Sequence, residues 1–231
     1  MKTTPENVYE DRQLFDRSYV FQDRRHAGKF LAEMLLFYKD SDTLVMGIPA
    51  GGMPVAAEIA KELDLPLEVA VVSKITLPWT TEAGYGAVAF DGTVKLNQEL
   101  VEQVGLGRQT VEEGIQTTRE KVENRNRLFR GDRPMPRLAD RPVILVDDGL
   151  ASGFTMRVAV AALQDAGASE VVVAVPTGPI RSVERISKQV DRLYCANIRT
   201  GVRFAVAEAY ENWYDVSESE VIDLLKEIQA E

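Results

Sequence analysis

The chain is poor in the residues from which most catalytic centres are assembled. It holds one histidine, His26, and one cysteine, Cys195, in 231 residues. A single histidine argues against a His-based triad and against a multi-His metal site. His26 lies among charged neighbours at a helix start, where a solvated surface role is expected. A lone cysteine forms no internal disulfide and agrees with a reducing compartment. No apolar run has the length of a bilayer span, and the first residues lack the apolar centre of a secretory leader, so no membrane partner and a cytoplasmic location are expected. Positive charge is also scarce: 27 Lys and Arg against 36 Asp and Glu give a net charge of -9, which argues against a nucleic-acid partner gripped through an overall basic field. No Gly-x-Gly-x-x-Gly occurs, so a dinucleotide site has no support. Gly47 and Gly52 have the spacing of a nucleotide triphosphatase loop, but Met53 and Pro54 stand where lysine and a hydroxyl belong. Repeats and low-complexity segments are missing too, which removes solenoid and linker readings.

What remains is an ordinary globular composition, with 45% hydrophobic and 27% charged residues. The length suits a single domain over residues 1–231, one α/β core with an appended flap. The informative stretch is Val143-Ile144-Leu145-Val146-Asp147-Asp148-Gly149-Leu150-Ala151-Ser152-Gly153-Phe154-Thr155. Four successive apolar residues do not alternate, so they predict a strand buried on both faces of a parallel sheet. A helix over Met156 to Ala166 should follow and stop at Gly167. Between strand and helix, Gly149 and Gly153 let successive amides converge on one point, Ser152 and Thr155 add hydroxyl donors, and the helix start aims its unpaired amides there. This is an anion cradle beside two carboxylates. A phosphorylated ribose with Mg2+ satisfies both halves, since a diol donates to carboxylates and a hard cation takes oxygen ligands. An idle acidic pair at a buried strand end would be costly unless something binds it.

These residues resemble the phosphoribosyl-pyrophosphate signature of the type I phosphoribosyltransferases. A second stretch extends the resemblance: Gly47-Ile48-Pro49-Ala50-Gly51-Gly52-Met53-Pro54-Val55-Ala56-Ala57-Glu58, then Val69-Ala70-Val71-Val72-Ser73-Lys74-Ile75, is similar to the family's first strand, pyrophosphate loop, helix and second strand. Overall the chain looks closest to a bacterial and archaeal group of unassigned substrate within that family. The resemblance implies an α/β fold, a parallel central sheet with helices on both faces, carrying a flexible lid or hairpin insertion at about 76–95 and a hood from about 1–22 and 197–216. It also implies a transferase that uses phosphoribosyl pyrophosphate and Mg2+, passes phosphoribose to a base or other small nucleophile, and releases pyrophosphate. Asp147 and Asp148 would hold the ribose hydroxyls and stabilise developing positive charge, Gly149, Leu150, Ala151, Ser152, Gly153, Phe154 and Thr155 would anchor the 5-phosphate, and Ala50, Gly51, Gly52 and Lys74 would face the pyrophosphate. No side chain is assigned as a resident metal ligand, and a homodimer is among the expected assemblies. Relatives commonly carry arginine where Ala50 stands. That motivates an alternative in which the chain binds phosphoribosyl pyrophosphate or a nucleotide as a sensor without turnover. Ala151 replaces an aspartate common in members acting on 6-oxopurines, which lowers hypoxanthine and guanine as acceptors.

Elsewhere, Asp23 predicts a cap for a helix to about Phe37, and Leu44 to Ile48 a strand followed by a helix through Leu63. Val69 to Val72 and Val171 to Val175 predict further strands, Ile180 to Val190 a helix, and Arg192 to Ala196 a last strand. Ala87 to Phe90 and Thr93 to Lys95 about Asp91-Gly92 read equally as a hairpin. Val111, Ile115, Thr118, Val122 and Phe129 mark one stripe of a long charged helix from Arg108 to Arg130. Ser217 with Glu220 predicts a capping box for a final helix.

Overall fold

A computed structural model of the chain describes residues 5–80 and 83–230. In chain order it contains β1 (Val8–Tyr9), α1 (Arg24–Met34), β2 (Leu44–Gly47), α2 (Gly52–Leu63), β3 (Leu67–Val69), β4 (Val72–Thr76), β5 (Gly84–Ala89) and β6 (Val94–Leu96). There follow α3 (Gln98–Gln103), α4 (Arg108–Arg130), β7 (Pro142–Val146), α5 (Phe154–Asp165), β8 (Glu170–Pro179), α6 (Ile180–Ser187), β9 (Arg192–Arg199) and α7 (Glu218–Ala230). Six strands form one sheet in the order β1-β9-β8-β7-β2-β3, and every pairing in it is parallel.

The unbroken apolar runs have the cause the sequence suggests. Met46, Leu145 and Val173 pack in one cluster with α5 and α6, while Val45, Ile144 and Val172 pack in the other with α1 and α2. Both faces are covered, so alternation has no use. The chain runs from β2 to β3 on one side and later returns to β7 on the other, which makes the β2–β7 boundary the switch in strand order. Loops leaving the carboxyl ends of strands at such a switch share one crevice.

Several expectations need correction. Val69 to Val72 is not one strand: β3 ends at Val69 in the parallel sheet, and β4 starts at Val72 in a separate antiparallel sheet, β4-β5-β6. Ala70 and Val71 between them are fully buried, so the change of sheet leaves no mark on hydropathy. Residues 84–96, within the stretch expected as a lid, are strands whose Tyr85, Ala87, Val88 and Ala89 are core residues. The hairpin about Asp91-Gly92 is present, Gly92 having φ +92°. The connection 77–83 is closed by the Ala83 carbonyl accepting from the Leu77 amide, with Trp79 exposed, and Thr81 and Glu82 lie outside the described residues.

Within the stretch expected as a hood, Val8–Tyr9 is instead the edge strand beside β9. The remaining parts of the two terminal segments do meet. Tyr19 and Val20 donate to the Glu208 and Ala209 carbonyls, and Glu211 and Asn212 donate to those of Phe21 and Gln22. β9 extends past Ala196 to Arg199 because Asn197 is fully buried and satisfied: Thr177 Oγ1 donates to its side-chain oxygen at 2.7 Å, and its amide donates to the Leu14 and Arg17 carbonyls. Asparagine is a poor strand former in isolation, and this network overrides that preference. The predicted Asp23 cap is formed, with Oδ1 accepting from the His26 amide at 2.8 Å, and His26 is exposed. The box at α7 is one-sided. Ser217 Oγ accepts from the Glu220 amide, but the Glu220 carboxylate takes the Tyr214 hydroxyl at 2.6 Å.

Candidate active site

The loop after β7 and the loop after β2 lie against each other. An added Cβ at Gly51 would sit 2.1 Å from Asp148 Oδ2, and one at Gly52 would sit 2.8 Å from Asp147 Cα. These glycines exist for close approach: any side chain would displace the acids. Gly149 has the same cause, since its Cβ would fall 2.4 Å from Val206 Cγ1, whereas Gly153 has φ +74° and needs the left-handed region itself. Of the two loop glycines, Gly153 alone takes a backbone angle closed to other residues.

A cavity of about 320 Å³ opens here. Its wall contains Asp147, Asp148, Gly149, Leu150, Ala151, Ser152, Gly153 and Thr155 from the loop, Lys74 from β4, and Val206. Residues from both sheets and from the terminal segment therefore converge. Phe154, Ala50, Gly51 and Gly52 are outside this wall. Phe154 turns into a separate groove with Arg157, and the Gly52 amide is already donated to the Ile48 carbonyl at 3.0 Å, so it is not free for a ligand. In the cradle, the Leu150 amide is donated to the Thr177 carbonyl, and the Phe154 amide to Ser152 Oγ at 3.4 Å. The amides of Gly149, Ala151, Ser152, Gly153 and Thr155 make no hydrogen bond within the described residues. Five uncommitted amides around one loop, at the start of α5, are donors of the kind that an anion takes.

The acidic pair is asymmetric, and the residue responsible was not singled out from sequence. Arg24, the first residue of α1 and only 4% exposed, reaches Asp148 Oδ2 with Nε and Nη2, each at 2.9 Å. Its Nη1 donates to the Tyr214 carbonyl at 2.8 Å, and its guanidinium lies 3.9 Å from the centre of the Trp213 ring. Tyr210 donates its hydroxyl to the Asp148 carbonyl at 2.5 Å. Asp148 is thus held at its carboxylate by Arg24 and at its carbonyl by Tyr210. Asp147 Oδ1 only accepts from the Asp148 amide at 2.9 Å. Burial, then the neighbouring Asp148 charge, pushes the Asp147 carboxyl well above the usual carboxylate range. Burial also raises Asp148, against the opposing pull of Arg24. In the sequence Arg24 is marked only by its place directly after the Asp23 cap, and nothing there links position 24 to position 148.

The aromatics of the tail divide. Tyr210 is buried and pins the segment through Phe21, with ring centres 6.0 Å apart, while Trp213 and Tyr214 stay 39% and 51% exposed over Arg24. Among the described residues no group of three metal-ligating side chains occurs, and no helix is long and apolar enough to cross a membrane.

Comparison with known proteins agrees with this arrangement. The model of the phosphoribosyl transferase domain matches residues 21–211. Two Mycobacterium tuberculosis proteins that carry the provisional name of phosphoribosyl transferase are 35% identical over 206 residues, 89% of this chain. The match covers 46% of each, so this chain spans about half the length of those relatives. The crystal structure of the protein TT1426 from Thermus thermophilus superimposes with a TM-score of 0.75 at 32% identity, covering 90% of this chain and 98% of that one. With its acid-ended strand, its glycine loop and its parallel sheet, the chain belongs to the type I phosphoribosyltransferase family.

Proposed function

We propose that the chain binds phosphoribosyl pyrophosphate with Mg2+ in the cavity above β7 and transfers the phosphoribosyl group to a small nucleophile. The observation that carries this reading is the convergence of the five uncommitted amides, the acidic pair and Lys74 on one cavity wall. The amides of 149–155 and the hydroxyls of Ser152 and Thr155 take the 5-phosphate, and this remote binding fixes the ribose over the acids. Asp147 and Asp148 accept from the ribose hydroxyls. As the bond from the anomeric carbon to the pyrophosphate oxygen breaks, their charge stabilises the positive charge on the ring. The nucleophile's lone pair forms the new bond on the opposite face, and pyrophosphate departs with the bonding electrons toward Lys74. Clamping of Asp148 by Arg24 fixes its carboxylate before substrate arrives, so little reorganisation is needed.

The donor set fits Mg2+ brought in by the pyrophosphate. Two adjacent carboxylates, with no third metal-ligating side chain grouped with them among the described residues, leave most ligand positions to substrate oxygens and water, the usual habit of that ion. Asp147, the acid that Arg24 does not hold, is the residue that would reach it, and the ion would neutralise charge on the leaving group. Calorimetric titration of phosphoribosyl pyrophosphate with Mg2+ is the test. Wild type should bind and Asp147→Ala should not; equal behaviour of the two would remove the proposal.

A second reading rests on Lys74 being the one basic residue among the described residues of the cavity wall, with Ala50 supplying no charge to the neighbouring loop. Here the chain binds the same ligand as a sensor without turnover. Pyrophosphate release dependent on an added acceptor would exclude it. The full activity, partners and assembly state, a homodimer among them, belong to this proposal.

A further inference from the structure

The uncommitted amides of the loop after β7 are aimed by groups outside it. A peptide unit is planar, and in its trans form the carbonyl and the following N–H point in opposite directions. Whatever grips the carbonyl of one residue therefore aims the amide of the next. The unit joining Asp148 to Gly149 turns easily, because glycine adds no Cβ to oppose the rotation. A loop built this way needs an outside hold.

Two buried hydroxyls from other parts of the chain supply it. Tyr210, packed against Phe21 and Trp213, donates to the Asp148 carbonyl at 2.5 Å. Ser182 of α6 donates to the Ala151 carbonyl at 2.7 Å. The amides at the other end of those two units belong to Gly149 and Ser152, both uncommitted and both on residues of the cavity wall. Between them, the Leu150 amide is taken by the Thr177 carbonyl at 2.8 Å, which fixes the unit joining 149 to 150 on β8.

A buried hydroxyl needs an acceptor wherever it stands, but a helical one ordinarily finds it on its own helix. Ser187, also on α6, bonds the Glu184 carbonyl three residues back at 3.2 Å, and Thr118 of α4 bonds that of Gly114 four back at 2.7 Å. Ser182 instead reaches 31 residues along the chain, and Tyr210 reaches 62. Tyr210 also keeps its proton, since burial, then the Asp148 charge, pushes its phenol well above the ordinary range.

Resting on the reading of 149–155 as a phosphate cradle, we propose that Tyr210 and Ser182 are its positioning residues: through the Asp148 and Ala151 carbonyls they aim the Gly149 and Ser152 amides before the phosphate arrives. Neither residue lines the cavity over the acids. Their contribution to affinity is that two peptide units are set on folding and need no reordering on binding. Because Tyr210 bridges to Phe21, the cradle is set by both terminal segments at once.

Ribose 5-phosphate titrated into isotope-labelled protein, followed by the loop amide resonances and by calorimetry, tests this. In wild type the Gly149 and Ser152 amides should shift on binding and the Leu150 amide should stay. Tyr210→Phe keeps the ring and removes the hydroxyl. It should lower affinity about fivefold and cut the Gly149 shift at saturation by roughly half, leaving that of Ser152 unchanged. Ser182→Ala should do the reverse, acting on Ser152 and sparing Gly149. Ser182→Thr, which keeps the donor, should stay within about twofold of wild type. A general loosening of the fold would lower both shifts together in each variant, and that outcome would overturn the assignment, as would variants that bind and shift like wild type. Wild type carries a check of its own: a Leu150 amide that shifts as much as its neighbours would show the loop unheld and overturn it too. If wild type binds ribose 5-phosphate but neither amide moves, the positioning inference falls while ligand binding stands. If wild type does not bind it at all, the cradle reading itself is what fails.

Discussion

Two buried arginine–carboxylate pairs hold distant parts of this chain together, and they differ in one respect. Arg130, the last residue of α4, meets Glu68 of β3 at 3.2 Å, with 7% and 9% of the side chains exposed. Arg24 meets Asp148 at 2.9 Å, with 4% and 15% exposed. The first pair is closed on itself: Glu68 Oε1 also accepts from the Val69 amide at 2.7 Å, and Arg130 donates to the Val69 carbonyl at 2.9 Å. It fastens α4 to the edge of the parallel sheet. The second pair has a further carboxylate beside it and an open cavity above it. Burial of an ion pair is therefore no mark of a site by itself, nor is a neighbouring cavity, since Arg130 also borders one; the second carboxylate buried beside Asp148 is what separates the two pairs.

The largest effect should come from breaking the fastening pair. Arg130→Ala leaves Glu68 buried without its partner and should lower unfolding free energy by about 3–5 kcal/mol in urea melts. Affinity for phosphoribosyl pyrophosphate should stay within twofold of wild type; a large loss of affinity would erase the distinction between the pairs. Arg24→Ala should cost about 3 kcal/mol for the same reason, but here affinity should fall at least tenfold, about 1.4 kcal/mol, because Asp148 loses its clamp. Gly51→Ala forces a methyl group against Asp148 Oδ2, so about 1–3 kcal/mol of stability should go together with ligand affinity. Asp147→Asn should move the two readouts in opposite directions, removing binding while raising stability by about 1 kcal/mol, because a buried charge beside a like charge is neutralised. A destabilised Asn variant would mean that Asp147 serves the fold. Lys74→Ala, at an exposed position, should change stability by no more than about 0.5 kcal/mol and weaken pyrophosphate binding severalfold in a competition titration.

The parallel sheet and the acidic loop could be read from the chain because each is written in adjacent residues. Val143 to Val146 are apolar without alternation since α2 and α5 cover opposite faces, and Asp147 to Thr155 are contiguous. The split between β3 and β4 could not be read. Buried strands in either sheet want the same apolar residues, so Val69 to Val72 gives one continuous signal across two different partners. Asp147, Asp148 and Lys74 were legible by type and position, whereas the occupied Gly52 amide and the outward turn of Phe154 depend on partners that hydropathy does not reveal.

The sequence by itself determined the layers and the glycine loop with its acidic pair, because these follow from local periodicity and glycine placement. Only the tertiary structure decided that Arg24 serves Asp148 across 124 positions, that Trp213 and Tyr214 close over that pair, and that Tyr210 and Ser182 hold the Asp148 and Ala151 carbonyls. The physical reason is range. Backbone preference and side-chain period act over a few residues, whereas a charge finds its partner through whatever the packed sheet brings within about 4 Å, and that distance bears no relation to separation along the chain.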